Sequence, residues 1–297
     1  MKSNPAFDFW SAGLPASRLN YFRFFFALSC LYYYWSIPWE FYADVPPHLW
    51  RPPGLGRLLI PFSLNINSIR LVAGLFKLSL LSLSVGFISR FSAFLCVIFS
   101  LVLFGSYHSA FYFDHSANAV ILTLMILTLS PTLGCNFSVD QVISKLRNNN
   151  FKVGEGVWPQ YLIRFIFFST FFAAGISKLV KSGWDWTDGQ NMKSILLFAE
   201  SAFRNQKLYE FQDTFHNFIY RTDWVTSSLG LITVAIELFC LPFFLYRKNS
   251  LFGVWLLFAL QTGIFLTLYF SFSFFSPMYL IFIPWEALLS RFDRTEK

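Results

Sequence analysis

The sequence predicts an all-α polytopic membrane protein: a bundle of about eight transmembrane helices, between about seven and nine, with short interfacial helices besides. Three observations lead there. Apolar residues make up 55% of the 297 residues and charged ones only 13%, where a soluble domain carries about 25% charged residues. Forty phenylalanines and ten tryptophans suit lipid contact and interfacial belts. Long apolar runs also recur down the chain, separated by loops that hold most of the lysines and arginines, and mean hydropathy is +0.50. One membrane domain over 1–297 is the natural count.

The first apolar run, 18–37, contains Arg23 and lacks the pattern of a cleavable signal, so it reads as a retained helix. The loop 38–68 holds Pro38-Trp39, Pro46-Pro47 and Pro52-Pro53, the composition of an ordered interfacial hairpin. Further spans are expected at 69–88, 90–108 and 116–134. Residues 138–147 read as a short surface helix, with Ser138 as N-cap and Asp140 in the first turn. A fifth span is expected at 160–180. The segment 190–222 alternates apolar and polar residues at helical spacing and is expected on the membrane face. The last three spans are expected at 224–246, 250–270 and 273–290.

The net charge of +7 is no nucleic-acid signal, because the basic residues sit in loops between apolar runs, where they set topology. With eight spans, Lys and Arg favour the loops on the side of both termini, which places the termini in the cytoplasm. The loop 108–115 and the segment 181–223 then face outward. The four cysteines, Cys30, Cys96, Cys135 and Cys240, form no C-x-x-C motif, and no histidine pair has the spacing of helical metal ligands, so no metal is expected. Phosphate loops and nucleophile elbows are absent from the sequence.

Charges within apolar runs need a partner or a task. Arg164 and Lys178 fall on nearly the same helical face, roughly 21 Å apart along the axis. Glu237, within Val234-Ala235-Ile236-Glu237-Leu238-Phe239, is a mate for a buried Arg or Lys. A structural ion pair is one reading of these charges; a polar cavity is the other. Lys178 could simply snorkel from a helix end. Ala173, Ala174, Gly175 and Ser177 favour more, since small residues let a neighbouring helix approach and strip water from the amine. Asp114-His115-Ser116 opens the fourth span, where Asp114 can cap the helix and the dipole favours neutral imidazole at His115. The topology puts His115 and Lys178 on the same outer side.

These segments, taken in order, resemble the horizontally transferred transmembrane domain family, related to the membrane core of vitamin K-dependent gamma-carboxylase. The resemblance rests on Asp114-His115-Ser116, then Phe137-Ser138-Val139-Asp140, then Trp158-Pro159-Gln160-Tyr161-Leu162-Ile163-Arg164. Its strongest part is Ala174-Gly175-Ile176-Ser177-Lys178-Leu179 with Trp186-Thr187-Asp188-Gly189-Gln190-Asn191-Met192. Phe274-Phe275-Ser276-Pro277-Met278 adds a weaker match. The resemblance implies that Lys178 is a base that deprotonates a quinol, that His115 stands near that chemistry, and that a quinone is the candidate cofactor. It departs at Ser177-Lys178, where the carboxylase has two lysines, and at Gln261, where the family commonly has histidine. The carboxylase's propeptide-binding lumenal domain has no counterpart in these residues, so full protein carboxylation is not expected.

The leading expectation is a multi-pass protein of a bacterial cytoplasmic membrane. Lys178 would serve as an outward-facing base on a membrane quinol, a lipid or a secreted peptide. His115 would shuttle a proton, and Arg164 with Glu237 would hold the cavity. The alternative is a non-enzymatic factor for maturation, export or immunity of a secreted peptide, docking it on 190–222. A small transporter, its path lined by Arg23, Lys77 and Glu237, is the third reading.

Overall fold

The computed structural model describes residues 17–46, 49–51, 63–110, 116–147, 158–203, 210–246, 251–268, 275–285 and 288. Helices are the regular structure throughout these residues. In chain order they are α1 (Ser17–Trp35), α2 (Ile66–Val85), α3 (Ser89–Ala110), α4 (Ser116–Leu129), α5 (Val139–Leu146), α6 (Trp158–Ser182), α7 (Gly189–Phe203), α8 (Phe211–Arg221), α9 (Asp223–Tyr246) and α10 (Leu251–Leu268). Tight 3-10 turns cover Trp39–Tyr42, Gly183–Thr187 and Ser276–Phe282. The all-α membrane-type architecture is as the composition requires.

Among the described residues the count of candidate spans is lower than eight. Five helices there, α2, α3, α6, α9 and α10, are long and apolar enough to cross a membrane. α1 has the length but carries Asn20 and Arg23, both buried, within it. α4 has 14 residues, about 21 Å of helix, and stops at Leu129 ahead of Ser130-Pro131, where proline disfavours further helix. Within the expected span 273–290, the described residues hold a 3-10 turn over Ser276–Phe282, with Pro277 at its start and Pro284 just beyond its end. Neither proline has an N–H to give an α-helical ladder.

The chain divides into two compact units, Met1–Ile166 with Phe274–Lys297, and Phe167–Ser273; the boundary lies inside α6. In the first unit α1 is the central element, packed against α2 and the 3-10 turn Ser276–Phe282. Leu19, Phe22, Phe26, Cys30 and Tyr34 are fully buried along it. Phe25 stacks on Trp285 with ring centroids 4.0 Å apart.

Arg23 is the pivot of this unit. Its guanidinium donates to the carbonyls of Leu83 (2.5 Å), Ser84 (3.2 Å) and Phe137 (2.6 Å). Leu83 and Ser84 lie in the last turn of α2, whose carbonyls have no partner within their own helix. The chain leaves α2 through Gly86 at φ +73°, and a Cβ there would lie 2.4 Å from an Arg23 nitrogen. Glycine therefore meets two needs at once: a left-handed turn and room for the guanidinium.

The short helix α5 is capped by Ser138, whose hydroxyl accepts from the Gln141 N–H at 3.0 Å. Asp140 reaches the start of α3, accepting from the N–H groups of Ile88 (2.7 Å) and Ser89 (2.8 Å) and from the Ser89 hydroxyl (2.7 Å). A carboxylate at the positive end of a helix is well placed. The same contact holds Ile88 at φ +46°, a left-handed conformation unusual for a β-branched residue.

Candidate functional site: the Lys178–Glu237 pair

In the second unit α6 and α9 run antiparallel along a seam of seven-residue spacing. At one level Phe168 stacks on Phe244, centroids 4.7 Å apart, and the Cys240 thiol donates to the Phe168 carbonyl at 3.5 Å. One heptad on, Gly175 meets Glu237 and Leu238. A further heptad along α9, Gly230 lies under the Trp186 carbonyl. A Cβ at Gly175 would stand 3.0 Å from that of Glu237, and one at Gly230 would stand 2.2 Å from the Trp186 oxygen. Small residues at these levels permit the close approach. Of the small residues before Lys178, Gly175 makes this contact, whereas Ala173 is exposed.

This approach brings Lys178, near the end of α6, to Glu237, in the middle of α9. The ammonium donates to both carboxylate oxygens, at 2.5 Å for Oε2. The carboxylate side chain is 5% exposed and the lysine 19%. Glu237 is thus enclosed by its partner, and the pair is reached from the lysine side. The Trp186 ring covers the ammonium, with Nζ 5.2 Å from its centroid, an electrostatically attractive arrangement.

The segment after α6 is built to hold that tryptophan. The 3-10 turn Gly183–Thr187 closes onto α7, where Asp188 accepts from the Gln190 N–H at 3.2 Å and the Asn191 amide donates to the Asp185 carbonyl at 3.1 Å. Met192, Leu196 and Ile219 form a buried apolar cluster, against which Trp186, Tyr220, Val225, Leu229 and Leu268 pack. At the edge, Lys193 pairs with Asp223 at the start of α9 and faces the Tyr220 ring. Gly175, Lys178, Trp186, Gly189 and Met192 therefore each shape the surroundings of one ion pair or the helices that enclose it.

Two further residues were expected at the site, Arg164 and His115. Arg164 belongs to the first unit, where it is buried, donates to the Ile281 carbonyl at 3.4 Å and faces the Phe282 ring at 5.2 Å. Glu237 is held by Lys178. His115 lies outside the described residues. Of the charges considered for a transport path, Arg23 is spent on helix-end carbonyls and the Lys77 ammonium lies 4.7 Å from the Trp35 ring centroid.

Trp186 as a cover for the ammonium was not foreseen in the sequence, although its eight-residue distance from Lys178 was visible. Among the described residues no group of three or more His, Cys, Asp or Glu is placed to hold a metal ion. No family model matches this chain, and neither curated proteins nor solved structures show significant similarity to it.

Proposed function

We propose that this chain is a multi-pass membrane protein of the horizontally transferred transmembrane domain type, related to the gamma-carboxylase core, and that the Lys178–Glu237 pair is its proton-handling site. The bacterial cytoplasmic membrane, with both termini inside, is the location this reading carries. What supports it is the convergence of Gly175, Lys178 and Trp186, residues from one ordered motif, on a single enclosed amine and carboxylate.

The chemistry follows from the pair. In surroundings of low dielectric, desolvation works against both charges of an ion pair, so the ion pair and its neutral tautomer draw closer in energy. Transfer of the ammonium proton to Glu237 leaves a free amine under the Trp186 ring. That amine can take the hydroxyl proton of a quinol-class substrate, giving a quinolate and restoring the ammonium. Glu237 holds the transferred proton until the more accessible Lys178 releases its own to solvent and takes that one back, so each cycle balances one proton taken against one released. A quinone is the cofactor or substrate class this reading names.

The test is an anaerobic titration of the purified protein with a reduced naphthoquinone, followed by the absorbance of the quinolate. Wild type should generate the deprotonated form. Lys178→Arg keeps a cation beside Glu237 but cannot cycle a proton near neutral pH. It should abolish the signal while the melting temperature stays close to wild type. Equal signals from the two proteins would overturn the proposal and leave the pair as a structural clamp.

A further inference from the structure

α8 has three distinct faces. Gln212, His216 and Ile219 are buried. Phe211, Phe215 and Phe218 are exposed by 54%, 40% and 56%. Asp213, Asn217 and Arg221 form the third stripe, at i, i+4 and i+8. At 100° per residue the three stripes lie roughly a third of a turn apart. A helix packed on a protein and otherwise bathed in water would turn its phenylalanines inward and its glutamine and histidine outward; α8 does the reverse.

The buried polar stripe has a specific task. The Gln212 amide donates to the Phe265 carbonyl at 3.2 Å, and His216 Nδ1 meets the Thr267 carbonyl at 2.7 Å. A carbonyl only accepts, so the ring carries its hydrogen on Nδ1. Both carbonyls belong to α10, itself long and apolar enough to cross a membrane, so the polar stripe of α8 is held against a membrane-type helix. Trp184 and Trp224, 68% and 73% exposed beside the ends of α6 and α9, are the residue type that settles at the membrane–water boundary.

We propose that α8 is seated in the lipid interface against α10. Phe211, Phe215 and Phe218 lie among acyl chains, and Asp213, Asn217 and Arg221 lie in the headgroup layer. The phenylalanine face is then occupied by lipid rather than kept for a peptide. This assignment is independent of the Lys178–Glu237 chemistry.

The four native cysteines are buried, so a fluorophore on an introduced thiol reports one position. Phe215→Cys, Phe218→Cys and Asn217→Cys, each in the full chain, are labelled with an environment-sensitive dye and reconstituted in phosphatidylcholine vesicles. Lipids brominated on the acyl chains should quench the dyes at 215 and 218 several-fold more than the dye at 217, and aqueous iodide should show the reverse order. Iodide quenching at 215 and 218 equal to that at 217 would overturn the proposal by placing the face in water. Protection of 215 and 218 from both quenchers would overturn it too, by showing a second copy or another protein on that face. All three substituted side chains are exposed, and circular dichroism compares each variant with wild type.

Discussion

The Lys178 ammonium engages both carboxylate oxygens of Glu237, a residue 59 positions further along the chain. One contact thereby ties the last turns of one apolar helix to the centre of another and closes the carboxylate off from its surroundings.

Breaking that pair from one side should be costly. Glu237→Gln or Lys178→Met leaves one charge without its partner, and removing a single member of a buried pair destabilises by about 3–5 kcal/mol. The partial exposure of Lys178 puts these variants at or below the foot of that range, about 2–3 kcal/mol. The double variant Lys178→Met with Glu237→Gln should recover most of the loss. Thermal unfolding in detergent, arranged as a double-mutant cycle, measures the coupling, and additive losses would rule it out.

Gly86→Ala should be among the most damaging single-methyl additions in the chain. The new Cβ would meet the Arg23 guanidinium at 2.4 Å in a backbone conformation that disfavours side chains. A loss of about 2 kcal/mol or more is expected. Arg23→Ala removes donors from three carbonyls and should exceed it, while Arg23→Lys should retain part of the stability because it keeps the charge. Melting temperatures of the three variants should rank in that order of damage.

Asp140→Ala removes the carboxylate that caps α3, with an expected loss of about 1–2 kcal/mol. Ile88→Gly acts in the opposite direction. It relieves the positive φ of a half-exposed, β-branched residue and should stabilise by about 1 kcal/mol. A lower melting temperature for Ile88→Gly would show that the isoleucine side chain contributes more than its backbone conformation costs.

Gly230→Ala places a methyl group 2.2 Å from the Trp186 carbonyl and must displace the turn that carries the tryptophan. The expected loss is about 1–3 kcal/mol. Tryptophan fluorescence should shift as well, because the ring leaves the Lys178 ammonium. With ten tryptophans in the chain the shift is best read as a difference against Trp186→Phe, in which Gly230→Ala should produce none.

Much of this molecule was legible one segment at a time. The membrane class, the positions of α2, α3, α6, α9 and α10, the Ser138 cap and the small-residue approach at Gly175 all follow from local patterns. Apolar length, capping chemistry and side-chain size act within a few residues, and sequence displays them directly. Pro131, Pro277 and Pro284 were equally visible, yet hydropathy alone carried the expected spans across them. The missing N–H groups prevailed: α4 stopped short, and Ser276–Phe282 formed a 3-10 turn.

Partner choice was not legible. Arg164 and Lys178 share a helical face, and Glu237 suited either. Only the antiparallel register of α6 and α9 selected Lys178, while Arg164 turned to the carbonyl of Ile281. Arg23 was an anomalous charge in an apolar run until Gly86 and the ends of α2 were brought to it. The amphipathic pattern of 190–222 likewise showed a helix but not which polar residues turn inward. Periodicity specifies which side chains share a face. The depth and rotation of each helix against its neighbours decide what that face meets, and those are set by packing between segments far apart in the chain.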